Sequence, residues 1–156
     1  MGLRSISFLA ADLTSTAFNR AVPWSRERQD DVGLTRDELS ALDAEIEALI
    51  DLDLCGKFVV ESPEKLRRIT DHFRAHLGLA EPVAPLCNAP WVSAVIEADG
   101  TVRPCFFHAP VGDLRNGQSL AEVLNGPEAI RFRSQLDVAA NPVCRRCVCS
   151  LHWTTA

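Results

Sequence analysis

Six cysteines in a chain of 156 residues, five of them from residue 87 onward, constrain this chain more than any other feature. Cys144 and Cys147 form a C-x-x-C, Cys149 follows two residues later, and Cys87 and Cys105 lie well upstream. A C-x-x-C turn presents two sulfurs on one side of the backbone. Two such distant pairs of thiolates suit a closed tetrahedral site for zinc or an iron–sulfur cluster. An even cysteine count also fits a small secreted domain stapled by disulfides. Such domains are rarely 47% hydrophobic, however, and the N-terminal stretch Met1-Gly-Leu-Arg-Ser-Ile-Ser-Phe8 lacks an export-signal core. Metal chemistry in a reducing, cytoplasmic setting is therefore the expectation.

Charge narrows the partners. Sixteen Lys+Arg against 21 Asp+Glu leave a net charge of −5, which disfavours non-specific binding to nucleic acid or to anionic membrane surfaces. No apolar run approaches the roughly 20 residues of a membrane-spanning helix. Disorder is excluded as well, because it needs low hydrophobicity with high net charge.

The first half reads as alternating strands and helices. Arg4–Ala10 alternates polar and apolar residues and predicts a strand with Ile6 and Phe8 on one face. Residues 12–33, with Asn19, Arg20, Pro23, Arg26 and Arg28, show no period and read as a long loop. Thr35 and Glu38 form a capping-box pattern ahead of Leu39, Leu42, Ile46, Leu49 and Ile50 at helical spacing. Lys57–Glu61 predicts a second, buried strand. Ser62-Pro63 opens a helix whose apolar stripe is Leu66, Ile69, Phe73 and Leu77. Strand, helix, strand, helix is the pattern of an α/β layer. Pro82, Pro85 and Pro90 then mark a boundary.

Beyond it, Trp91–Ile96 and Thr101–Phe106 flank Asp99-Gly100, a strong hairpin signal. Ser119 and Glu122 repeat the capping-box pattern before a short helix that Asn125-Gly126 stops. Pro127 opens another helix, carrying Ile130, Phe132 and Leu136.

The second half holds, in order, the words Cys87-Asn-Ala-Pro-Trp-Val-Ser, Asp99-Gly100-Thr-Val-Arg-Pro-Cys105, Val111-Gly112-Asp-Leu, Leu120-Ala-Glu-Val-Leu-Asn, Arg131-Phe-Arg-Ser-Gln-Leu and Cys144-Arg-Arg-Cys147. In these words and their order it resembles the SPASM and Twitch domains of radical SAM enzymes. The resemblance implies that Cys87, Cys105, Cys144 and Cys147 ligate one auxiliary [4Fe–4S] cluster, with Cys149 as a substitute ligand within the tail. A full SPASM domain holds two clusters and needs more cysteines than remain, so the one-cluster Twitch form or a reduced SPASM is implied. The alternative is a zinc-stabilised binding module with no redox role.

The radical SAM signature C-x-x-x-C-x-x-C does not occur in the sequence. Residues 1–80 resemble the last strand and helices of the radical SAM partial barrel, and residues 81–156 the cluster domain. The expected class is α+β: a partial α/β layer followed by a hairpin-and-helix cluster domain. Such a chain is not expected to cleave S-adenosylmethionine alone. Its implied partner is a radical SAM catalytic half or partner chain, with a peptide or small molecule as substrate, and its implied role is electron transfer or substrate positioning. With two strands lacking a full barrel, Ile6, Phe8, Val59, Leu39, Leu42 and Ile46 are expected to miss neighbours.

The remaining residues have simpler readings. Cys55 reads as a small buried hydrophobe. His72 and His76, at i and i+4, read as a solvated helix face. His108 reads as a strand-end histidine with local hydrogen bonds, its alternative being a neighbour of the cluster. Trp91, Phe106 and Phe107 read as hairpin core or as a screen around the cluster. Arg145 and Arg146 either balance its negative charge or lie in solvent. His152 reads as terminal decoration.

Overall fold

A computed structural model of the chain describes residues 2–17, 20 and 22–154; Met1 and Asn19, read above in the N-terminal stretch and the loop, lie outside the described residues. The chain divides into two compact units, one of Met1–Thr14 and Trp24–Pro82, the other of Ser15–Pro23 and Val83–Ala156.

In the first unit, the loop expected over residues 12–33 holds a helix, α1 (Arg26–Val32). The Ser25 hydroxyl caps it by accepting from the Arg28 N–H, and Arg26 pairs with Asp30 one turn on, at 3.0 Å. None of its residues is buried, so no apolar period announced it. Helix α2 (Arg36–Asp51) starts at the anticipated capping box, where the Thr35 N–H donates to Glu38 at 2.8 Å and the Glu38 N–H donates to the Thr35 hydroxyl at 3.3 Å. Replacing Thr35 with Ala should therefore lower stability by about 1 kcal/mol. An unchanged urea midpoint in that variant would show that the cap contributes nothing.

Helix α3 (Pro63–His76) places proline in its first turn, where a missing N–H costs no intrahelical bond. It packs on α2, and the Arg67 guanidinium donates twice to Glu47, both bonds 2.7 Å. Ile46, Val59 and Leu66 form the centre of the core, with Ile6, Leu42, Cys55 and Ile69 against it.

The two expected strands are not formed as strands. Ile6 and Val59 make a single parallel bridge, in which the Ile6 N–H donates to the Phe58 carbonyl (2.8 Å) and the Val60 N–H to the Ile6 carbonyl (2.9 Å). Val59 bridges Cys55 as well, and neither pairing extends into a ladder. Of the residues expected to miss neighbours, Val59 is fully buried and Leu39 and Ile46 nearly so, Ile6 and Leu42 are half-buried, and Phe8 is exposed as expected. The helix pair covers Val59 from its own chain. Leu3 and Leu9, beside Phe8, are exposed as well, and so is Val60.

The second unit begins with a single helical turn, α4 (Ala89–Val92), so Trp91 lies in a helix and not in the expected strand. Pro90, within its first turn, fits that geometry. Strands β1 (Val95–Ile96) and β2 (Thr101–Arg103) form the anticipated hairpin, with Val95 opposite Arg103 and Ile96 opposite Val102. Gly100 occupies φ +88° in the turn, a backbone region that glycine enters without a steric penalty. A third strand, β3 (Gly112–Asp113), was not anticipated; it lies antiparallel to β2 and sets Val102 opposite Gly112.

Helix α5 (Leu120–Leu124) opens at the Ser119–Glu122 capping box, and α6 (Pro127–Gln135) follows after Gly126. Val102, Val123 and Ala129 are buried. A last turn, α7 (Pro142–Arg145), carries the first cysteine of the C-x-x-C. The unit is thus a three-stranded antiparallel sheet with short helices, of mixed α+β character. Among the described residues, no helix is long and apolar enough to cross a membrane.

Candidate metal centre

Each cysteine of the second unit reaches the site from a different local structure. Cys87 stands just ahead of α4, and Cys105 lies in the bend that follows β2. Cys144 is held in α7 because the Asn141 side chain accepts from the Val143 and Cys144 N–H groups, at 3.0 and 3.2 Å. The Cys147 N–H then donates to the Cys144 carbonyl (3.1 Å), which closes the C-x-x-C into a tight turn.

The structure brings five cysteines to one place. Cys87, Cys105, Cys144, Cys147 and Cys149 all line a cavity of about 460 Å³. Cys149 is exposed, whereas the other four are half-buried. Cys55 does not line it; it packs in the first unit against the Ile46, Val59 and Leu66 core, as a small hydrophobe. Among the described residues, no three His, Cys, Asp or Glu side chains are gathered as a single metal ion requires. The cysteines surround a volume instead of closing on a point.

The protonation of these thiols follows from that crowding. Burial pushes the Cys144 thiol up to about 11, and nearby Cys105 and Cys87 add to the rise. Burial likewise pushes Cys147 up to about 12, against a hydrogen bond from the Cys149 backbone, with Cys149, Cys105 and Cys87 adding to the rise. Cys105 is raised by burial, while hydrogen bonds from the backbone of Phe107 and His108 hold it back. Several thiolates side by side in a low-dielectric pocket repel one another, so without a cation the protonated forms are favoured. A positively charged iron core that takes four thiolates reverses the balance and releases protons as it binds. The donor set fits such a group.

His108 is closer to the site than a strand-end reading implies. Its Nε2 lies 3.4 Å from Cys144 Sγ, its ring meets Phe132 edge-on at 4.9 Å, and its carbonyl accepts from Arg103 at 3.0 Å. Burial lowers the affinity of its imidazole for a proton. Phe106 and Phe107 also line the cavity; Trp91 does not line it and is exposed. Arg145 is half-buried, and Arg146 and His152 are exposed. The solvated face expected at His72 and His76 is corrected: both are half-buried, with His72 Nε2 3.1 Å from the Ala11 carbonyl and His76 Nε2 inaccessible to solvent.

A further feature left no legible trace in the sequence. The Asn88 side chain donates to the Trp153 carbonyl (2.7 Å) and accepts from the Trp153 N–H (2.9 Å), while the Asn88 backbone N–H donates to the Leu151 carbonyl (2.8 Å). An amide side chain here pairs with backbone as a strand would. It ties the neighbour of Cys87 to the tail that follows Cys149.

Residues 87–148 match the family model of SPASM, described as an iron–sulfur cluster-binding domain. No curated protein matches the chain, and no solved structure matches it. The SPASM match indicates iron–sulfur cluster binding by this segment.

Proposed function

We propose that the second unit holds one [4Fe–4S] cluster on Cys87, Cys105, Cys144 and Cys147, as an auxiliary centre for a radical SAM catalytic half in which it relays electrons or positions substrate. The observation that carries this reading is the convergence of both cysteine pairs on one cavity, within the segment that matches an iron–sulfur cluster-binding domain. When bound, the cluster supplies a one-electron couple.

The chain's own residues shape the site around that couple. Four cysteine ligands leave no iron open, which favours electron relay over direct ligation of a substrate. Phe106 and Phe107 line the cavity with apolar surface and reduce the access of water to the sulfurs. Cys149 lines the same cavity but is exposed, and is left outside the ligand set.

Composition decides between iron and zinc, since both accept four thiolates. Protein purified without oxygen should be brown, absorb near about 400 nm, and contain about four iron and four sulfide per chain. A colourless protein with zinc and no sulfide would overturn the reading.

A further inference from the structure

We propose that His108 is a positioning residue which donates to two thiolates at once, its backbone N–H to Cys105 and its ring Nε2–H to Cys144, and so raises the reduction potential of the cluster. The inference rests on the cluster reading above.

The geometry makes one residue a bridge between cysteines far apart in the chain. Cys105 lies three residues before His108, and its sulfur accepts from the His108 backbone. Cys144 lies on α7, and its sulfur is 3.4 Å from His108 Nε2. Both ends of the histidine are held. The Phe132 ring meets the imidazole edge-on, and Arg103, itself paired with Glu97, donates to the His108 carbonyl.

A neutral imidazole has one N–H, and a metal-bound thiolate has only lone pairs to offer. Nε2 therefore carries the proton when Cys144 is a ligand. Reduction adds an electron to a cluster that is already negative with its four thiolates. An N–H directed at a ligating sulfur withdraws charge, stabilises the reduced state more than the oxidised one, and raises the potential. The ring position relative to Cys144 makes this donor removable by substitution, whereas the backbone donor to Cys105 persists in any variant.

The test compares wild type, His108→Phe and His108→Gln, each reconstituted in the full chain and titrated electrochemically with the reduced cluster read by paramagnetic resonance. Phenylalanine keeps a ring against Phe132 but has no N–H; glutamine offers an N–H in place of Nε2. His108→Phe should hold wild-type iron and sulfide while its equilibrium constant for reduction falls about tenfold, 59 mV for one electron. His108→Gln should stay within about twofold of wild type on the same scale. A loaded His108→Phe with the wild-type potential overturns the proposal and leaves the cluster reading intact. Equal shifts in both variants also overturn it, because ring shape would then explain the effect. Should His108→Phe hold no cluster, glutamine decides: the wild-type potential sustains the proposal, and a fallen potential or a lost cluster overturns it. Wild-type protein without iron and sulfide overturns the cluster reading, and this inference with it.

Discussion

Cys144→Ala, reconstituted without oxygen, should lose well over half of its iron and sulfide, and so should the alanine variants of Cys87, Cys105 and Cys147. Removing one of four thiolates opens an iron to water and oxygen, and no spare cysteine stands at an equivalent depth. Cys149 lines the same cavity but is exposed, and Cys55 packs in the core of the first unit. Cys149→Ala and Cys55→Ala should therefore keep most of the cluster. Iron and sulfide assays on the six variants check the assignment. If Cys149→Ala loses as much as Cys147→Ala does, the ligand set includes Cys149. If Cys87→Ala or Cys105→Ala keeps its cluster, the two-pair site is wrong.

The second large effect is expected from a single methyl group at Gly112. A Cβ built there would stand 2.4 Å from Val123 Cγ1 and 3.2 Å from its Cγ2. Val123 is buried on α5, and Gly112 is paired with the fully buried Val102 on β2. Neither neighbour has open space to move into, so Gly112→Ala overpacks the seam between sheet and helix. The cost should be about 2 kcal/mol, read as a lower urea midpoint at an unchanged slope. Val123→Ala should rescue part of it: the double variant should lose less than the two single losses combined, which a double-mutant cycle measures. Additive losses would show that the close approach is relieved elsewhere. The strand that Gly112 supports leads into Cys105, so iron content should fall in the single variant.

Local chemistry was legible in the sequence, and pairing across the chain was not. Thr35 with Glu38 and Ser119 with Glu122 announce two helix starts because every atom of a capping box lies within four residues. Asp99-Gly100 announces its turn for the same reason. The expected strands at Arg4–Ala10 and Lys57–Glu61 alternate or run apolar as strands do, yet a strand needs a partner along its length, and here Val59 alone bridges, to Ile6 and to Cys55. Helix α1 is held by an exposed cap and ion pair, and β3 is two residues long, so neither carries a hydrophobic period to detect.

The same distinction divides the site. The C-x-x-C is visible because its two sulfurs are sequence neighbours. The sequence order of Cys87 and Cys105 told less, and their meeting with Cys144 at one cavity required the fold. His108, three residues after Cys105, reads in sequence as a local strand-end histidine or a neighbour of the cluster; the sulfur that its ring meets is 36 residues away and is not legible there. Asn88 gave no signal at all, since an asparagine before a short helix has an ordinary reading as a cap. It makes no such cap bond here, and its side chain turns to Trp153 instead.

That asparagine also imposes a timetable. Its three bonds reach to residues 151 and 153, past the last cysteine, at a separation of up to 65 residues. During synthesis, the hairpin and its first cysteine pair leave the ribosome well before the clasp's other half exists. A nascent chain interrupted before Trp153 carries its sulfurs on an unclosed rim, open to oxidants and to stray metal. The rim closes only once residues 151 and 153 have emerged and met Asn88.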